Sequence, residues 1–313
     1  MDVSGGIATF ILKALEQTLL SVINFMTQKK PLPEQEWLPK IQSYFQNENT
    51  RIHGVYSRLP IVQINETQSW DLSKEQIEEA KIQRKKIDDH PAHSNDPHAI
   101  LEKGYTPNWE GNPVIFKTQT TDFATVRVLK SHNVPIQSLS ACTLIVCEES
   151  KSLILHKRSE HSDTYAECYH MVGGSYMPKT SSTMRYNDAH SLKKTAIREI
   201  WEELGIVSVD LEKCTMILQE EPDTGFIQVC FLGAIMSKDQ IAKIDGNYEG
   251  EFQELEFNQL AKLLNDNEKL VPTCKSAILA WLALDAPGTK IKPKFDGLKP
   301  KQLFKKTMKA QPK

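Results

Sequence analysis

Paired cysteines are missing. Six cysteines occur in the 313 residues, at 142, 147, 168, 214, 230 and 274, and no two form a CxxC pair. This spacing excludes the common zinc and dithiol redox motifs, and buried reduced thiols in a cytoplasmic protein are the simplest expectation. Also absent are a G-x-G-x-x-G fingerprint, a P-loop and a Ser-His-Asp signature. No apolar run is long enough to span a membrane. Residues 7–26 place Ile7, Phe10, Ile11, Leu15, Leu19, Val22, Ile23 and Met26 on one helical side, but Lys13 and Glu16 interrupt them. Without a basic n-region or a small-residue cleavage site, that stretch is not expected to be a signal peptide. It reads as a helix packing on its own domain or on a second copy in a homodimer.

Charge of one sign is also lacking overall, since the formal net charge is −2. Its distribution is uneven. Gly288–Lys313 holds nine lysines against one aspartate, a charge of +8 that leaves −10 on residues 1–287. With three prolines and few large apolar residues, this tail is expected to be disordered or loosely docked. A solubilising role is its plainer reading, and contact with RNA phosphates or an anionic membrane the lesser alternative.

The most informative stretch is Arg198–Ile206, with sequence REIWEELGI. Glu199, Glu202 and Glu203 stand at i, i+3 and i+4, on one flank of a helix. Clustered like charges repel, but a hard divalent cation such as Mg²⁺ or Mn²⁺ reverses that sign. Alone, such a triplet is more often a solvated acidic stripe, so its neighbours matter. Arg198, four residues before Glu202, can pair with a carboxylate and hold it. Ile200 and Leu204 continue an apolar stripe from Leu192 and Ala196, and Gly205 sits where a left-handed residue ends a helix. The spacing predicts a helix over 189–204.

This segment resembles the end of the Nudix hydrolase box, R-E-(apolar)-x-E-E-x-G-(apolar), at every specified position. The upstream part resembles it less. Gly173-Gly174 follows Tyr169–Val172 as the box expects, but the stretch to Arg198 is longer than the family pattern by about ten residues. Met184 and His190 stand where the box would place its first Gly and a further Glu. Residues 175–188 therefore read as an insertion before the helix. The resemblance covers roughly 120–285 and implies an α/β/α sandwich around a mixed sheet. It also implies Mg²⁺ or Mn²⁺ held by Glu199, Glu202 and Glu203, and hydrolysis of a diphosphate linkage in a nucleotide-type substrate. Glu202, Glu203 and Arg198 are the catalytic candidates within the box. For the base, a downstream loop glutamate is expected: Glu249 first, with Glu251 and Glu254 as alternatives. The other reading is a Nudix-like binding or regulatory module that keeps the helix without turnover.

The flanking chain is consistent with this placement. Residues 140–158 read as a β-hairpin around a polar turn, and 216–220 and 226–235 as two more strands. Glu251–Phe257 reads as an edge strand and Val271–Leu284 as a helix burying Trp281. Alternating strands and helices of this kind suggest an α/β class. Phe123–Leu129 is expected to be the first strand of the catalytic domain. Upstream, Ser73 with Gln76 marks a capping box for a helix over 73–87, and 90–113 reads as a linker-like loop. His90, His93 and His98 lie in that loop among aspartates, and its Pro- and Asn-rich context favours a loop over a metal site. The expected division is a partly helical and irregular N-terminal extension (1–115), a catalytic domain (116–287) and the basic tail (288–313).

Overall fold

The computed structural model describes residues 34–44, 50–65, 70–89, 95–160, 162, 164–178, 192–206, 208–244, 250–265, 269–289, 293–295 and 297–309. The predicted helix over 7–26 and His90, His93, Met184, His190 and Glu249 lie outside these residues. Trp37–Lys313 forms one compact unit.

In chain order the elements are α1 (Glu34–Tyr44), β1 (Arg51–Tyr56), β2 (Ile61–Asn65), α2 (Lys74–Asp88), β3 (Pro97–Leu101), β4 (Ile115–Asp122) and α3 (Phe123–Ser131). They continue with β5 (Ser138–Cys147), β6 (Ser152–Arg158), β7 (Tyr169–His170), β8 (Val172–Ser175) and α4 (Leu192–Leu204). Then come β9 (Thr215–Glu221), β10 (Phe226–Ile235), α5 (Lys238–Ile241), β11 (Gly250–Glu256), α6 (Phe257–Asn265), α7 (Pro272–Ala283) and α8 (Pro300–Lys309).

The strands form one mixed sheet in the order β1-β9-β10-β5-β3-β4-β2, with β8 on β5, and β6 pairing with β5, β7 and β11. β10 runs parallel to β5 and β2 parallel to β4, while the hairpins β5–β6 and β9–β10 are antiparallel. β5 is buried along its whole length, as a central strand covered on both faces must be. Its side chains alternate. Cys142, Leu144 and Val146 join one core with α1, α6, α7 and α8, while Leu139, Ala141, Ile145 and Cys147 join another with α4. The architecture is thus α/β, with helices on both faces of a mixed sheet.

Several expectations hold. The capping box of α2 is present, with Ser73 Oγ accepting from the Gln76 backbone N–H and Gln76 Oε1 from the Ser73 N–H. The hairpin over 140–158, the two strands after the box, the edge strand and the Trp281 helix all appear.

Four others are corrected. Phe123–Leu129 is not a strand but helix α3. The Asp122 carboxylate caps it by accepting from the Thr125 N–H at 2.8 Å, and burial of Ala124, Thr125, Val128 and Leu129 follows a helical period despite the β-branched residues. The linker-like stretch 90–113 contains β3, hydrogen-bonded between β4 and β5. Pro97 opens that strand, a position where a missing N–H costs little. The division at 115 does not fall on a structural boundary, because β1, β2 and β3 belong to the same sheet as the strands after it. Finally, the basic tail is not loosely docked over its described residues. α8 buries Leu303, Phe304 and Thr307, and Phe295 before it is fully buried against Phe257 and Trp281. A lysine-rich average hid one short apolar stripe.

Candidate functional site

The site is built where β8 meets α4. β8 lies antiparallel on β5, with Gly173 opposite Cys142 and Gly174 opposite Ala141. The approach is so close that a Cβ on Gly173 would stand 2.3 Å from the Ala141 carbonyl oxygen. A Cβ on Gly174 would stand 2.5 Å from Glu199 Oε2. Gly173 therefore lets β8 lie close against β5, and Gly174 leaves only backbone beside the Glu199 carboxylate.

On α4, the residues facing inward include Arg198, Glu199 and Glu203 as well as Leu192, Ala196, Ile200 and Leu204. Two glutamates of the triplet are thus more buried than an acidic flank would suggest, while Glu202 is exposed. Buried charge requires partners. Arg198, 4% exposed, supplies one. Its guanidinium donates to the Ser175 carbonyl at 2.8 Å and to the Glu199 carboxylate, and its Nε lies 3.7 Å from Glu202 Oε2. Arg198 therefore ties the end of β8 to two glutamates rather than pairing with Glu202 alone. Gly205 ends the helix as expected, at φ +68°, donating its N–H to the Trp201 carbonyl at 2.9 Å.

Glu203 faces His156, a residue that the motif does not mark. His156 sits on β6, its Nδ1 4.0 Å from Glu203 Oε2. Burial, with a smaller contribution from the Arg158 charge, lowers its pKa to about 4, so the ring is neutral near pH 7. Its pairing partner across β6–β7, His170, is pushed down to about 3, again mainly by burial. The available sequence signal was a histidine directly after the apolar run Leu153–Leu155, too common to single out.

The base candidates separate by strand alternation. Leu255 joins the core under α6 and α7 while Phe252 packs on the side of α4. Glu251 shares the face of Leu255 and points away from α4, while Glu254 shares the face of Phe252 and accepts from Ser152 Oγ at 2.7 Å. Glu249 lies outside the described residues. Further along, His98 stacks on Phe123 with centroids 5.3 Å apart, and burial lowers its pKa to about 4. No metal cluster forms around it among the described residues.

Glu199, Glu202 and Glu203 offer only carboxylate oxygens, the donors a hard divalent cation takes, and neutral His156 adds no competing charge. The chemistry of the donor set fits Mg²⁺ or Mn²⁺. Among the described residues, however, no three of His, Cys, Asp or Glu are gathered so that they could hold an ion. Glu199 and Glu202 instead face Arg198, with which an ion would compete.

No protein-family model and no curated protein matches the chain. Solved structures do. The MutT protein from Methanosarcina mazei is 24% identical over 44% of this chain and 86% of its own, with a TM-score of 0.31. An Ap4A hydrolase from C. elegans is 16% identical over 46% of this chain and 97% of its own, with a TM-score of 0.31. The NUDIX domain of Shewanella oneidensis NrtR, complexed with ADP ribose, is 19% identical over 41% of this chain and 77% of its own, with a TM-score of 0.27. The chain resembles the Nudix hydrolases. At such scores the likeness is one of fold in part of the chain, and the residues of the site carry the functional reading.

No helix among the described residues is long and apolar enough to cross a membrane. The six cysteines are free, with Cys142, Cys147, Cys230 and Cys274 buried.

Proposed function

We propose that this protein hydrolyses a diphosphate linkage, in a nucleoside diphosphate joined to another moiety, using Mg²⁺ or Mn²⁺. One observation carries the reading. Strand β8 at Gly174, the buried Arg198 and Glu199 meet at one place, Arg198 also stands 3.7 Å from Glu202, and Gly174 leaves only backbone against Glu199. A solvated acidic helix needs neither a glycine cradle nor a buried arginine.

In this reading Glu199, Glu202 and Glu203 hold the metal. When bound, the metal neutralises the diphosphate oxygens and lowers the pKa of the attacking water. Arg198 orients Glu199 and Glu202 and is itself fixed by the Ser175 carbonyl. His156, beside Glu203, is held neutral by burial and so adds no positive charge there. Glu249, next to β11 in sequence, is the proposed base that takes the proton from water. Glu254 is the alternative on the same side of the sheet as α4, and its contact with Ser152 must break for it to act. The protein is proposed to work in the cytoplasm, where its free thiols stay reduced.

The contacts of Arg198 favour a second reading, a module that binds a nucleotide without turnover. A guanidinium already satisfies two of the three glutamates. The discriminating experiment offers nucleotide sugars, dinucleotides, coenzyme A and capped RNA with Mg²⁺ or Mn²⁺ and identifies the products. Release of a nucleoside monophosphate that stops with chelator supports the hydrolase. Saturable binding of one compound without any product supports the module.

A further inference from the structure

The helices α6, α7 and α8 pack against one another at the C-terminal side of the fold. Their sequences hold no aspartate or glutamate, in a chain where acidic residues outnumber Lys and Arg, 40 to 38. Lys262 on α6 and Lys301, Lys305, Lys306 and Lys309 on α8 are exposed, as are Lys294 and Lys299 just before α8. None of these seven has an ion pair among the described residues. Elsewhere some cations are paired, as in Arg84–Asp122 and Lys193–Glu212, and others such as Lys85 and Lys103 have no ion pair among the described residues, so the clustering of the seven is what sets this face apart.

This face is not a flexible tail. Leu303, Phe304 and Thr307 anchor α8, which fixes where its lysines stand. Lys301, Lys305 and Lys309 recur every four residues and so lie in a row along the helix. Between α6 and α8 runs a cleft of about 150 Å³, lined by Ala261, Lys262, Asn265, Leu303, Lys306 and Thr307. It has a lysine on each helix, an amide at one side and an apolar floor.

We propose that this lysine-rich face is a docking surface for an anionic phospholipid bilayer, with a headgroup phosphate seated between Lys262 and Lys306. The chemistry points to lipid rather than RNA. The aromatic side chains of α6 and α8, Phe257 and Phe304, are both buried, and neither helix contains arginine. Nothing on the face can stack on a base or grip a phosphate in a bidentate fork. Rows of point charges suit a surface of diffuse negative charge. The apolar stripe of α8 is already spent on the core, so adsorption is electrostatic and does not insert the helix. This inference is independent of the proposed hydrolase activity.

The test is cosedimentation of the full chain with phosphatidylcholine vesicles, with and without phosphatidylserine, at low and raised salt. Binding should require phosphatidylserine and weaken with salt. Each exposed lysine removed should lower partitioning about fivefold, so the combined Lys301→Gln, Lys305→Gln and Lys309→Gln variant should lose about a hundredfold. Lys262→Gln with Lys306→Gln should lose more than Lys301→Gln with Lys309→Gln, because the first pair converges on one headgroup. All these side chains are exposed, and unchanged thermal melting would show that each variant is folded. Absence of binding to phosphatidylserine vesicles, or binding indifferent to these lysines, overturns the proposal. So does tighter, lysine-dependent binding of single-stranded RNA than of vesicles. Equal losses for the two pairs overturn the headgroup seat.

Discussion

The two faces of the sheet handle charge in opposite ways. Under α4, charged side chains go inward: Arg198, Glu199 and Glu203 are each less than 10% exposed, with Glu199 against Gly174 and Glu203 beside His156. Under α6, α7 and α8 the interior is mostly apolar, with Trp281, Phe295 and Leu260 fully buried and most of the lysines outside. An apolar layer is stabilised by area and packing, and its cations cost little because water solvates them. A buried ionic helix gains little net stability and is strongly hurt by loss of one partner. The difference teaches where to expect function: charge kept at that cost on one face is what the proposed chemistry needs.

The largest effect should come from the apolar side. Trp281 is fully buried, stands edge-on to Phe295, and donates its indole N–H to the Pro287 carbonyl at 3.1 Å. Trp281→Ala should cost about 3–5 kcal/mol of stability in urea unfolding. Any activity measured on the folded fraction should be unchanged. A specific loss of turnover in folded protein would break the comparison by tying the apolar layer to chemistry.

On the ionic side the order reverses. Glu203→Gln keeps the shape and removes an anionic ligand, so kcat should fall a hundredfold or more, roughly 3 kcal/mol of barrier. Urea stability should change little beside Trp281→Ala. Normal turnover by this variant would remove the metal-triplet reading.

Acid should sharpen the comparison further. His98 and His170 are held neutral by burial, at about 4 and about 3 against an ordinary value of 6.5. The unfolded chain therefore binds more protons between those values, and stability falls as pH drops through 6.5 toward 4. The loss between pH 7 and pH 5 should be roughly 2 kcal/mol per histidine, read as a falling urea midpoint. Lysine-dependent adsorption involves neither histidine and should not follow the same curve.

The smallest effect is expected at Arg198. Lysine there keeps the charge but loses the fork that spans Ser175, Glu199 and Glu202, so Arg198→Lys should weaken Mn²⁺ affinity about tenfold, near 1.4 kcal/mol. Titration calorimetry would measure it, and excess metal should restore part of the rate. If saturating metal restores nothing, Arg198 acts in some other way.

Much of the fold could be read from patterns within a few residues. The capping box of Ser73 and Gln76, the hairpin over 140–158 and the glycine stop at 205 are local signals with local causes. The pattern failed where neighbours in space decide. The run after Asp122 has strand-like residues yet becomes α3, because an aspartate cap and a helical stripe outweigh β-branching. Leu303 and Phe304 are too few to register in a lysine-rich window, but they meet a core waiting to be covered.

At the candidate site the division is similar. The sequence alone determined that Glu199, Glu202 and Glu203 share a helical flank beside Arg198, because the pitch of an α-helix dictates which residues are neighbours. It also marked Gly173 and Gly174 as a glycine pair ahead of that helix. Only the tertiary structure decided that the pair lies within strand β8 with Gly174 against Glu199, that His156 faces Glu203, and that Glu251 and Glu254 point to opposite sides of the sheet. Those contacts join residues far apart in the chain, and strand register, packing and burial set them where no local pattern reaches.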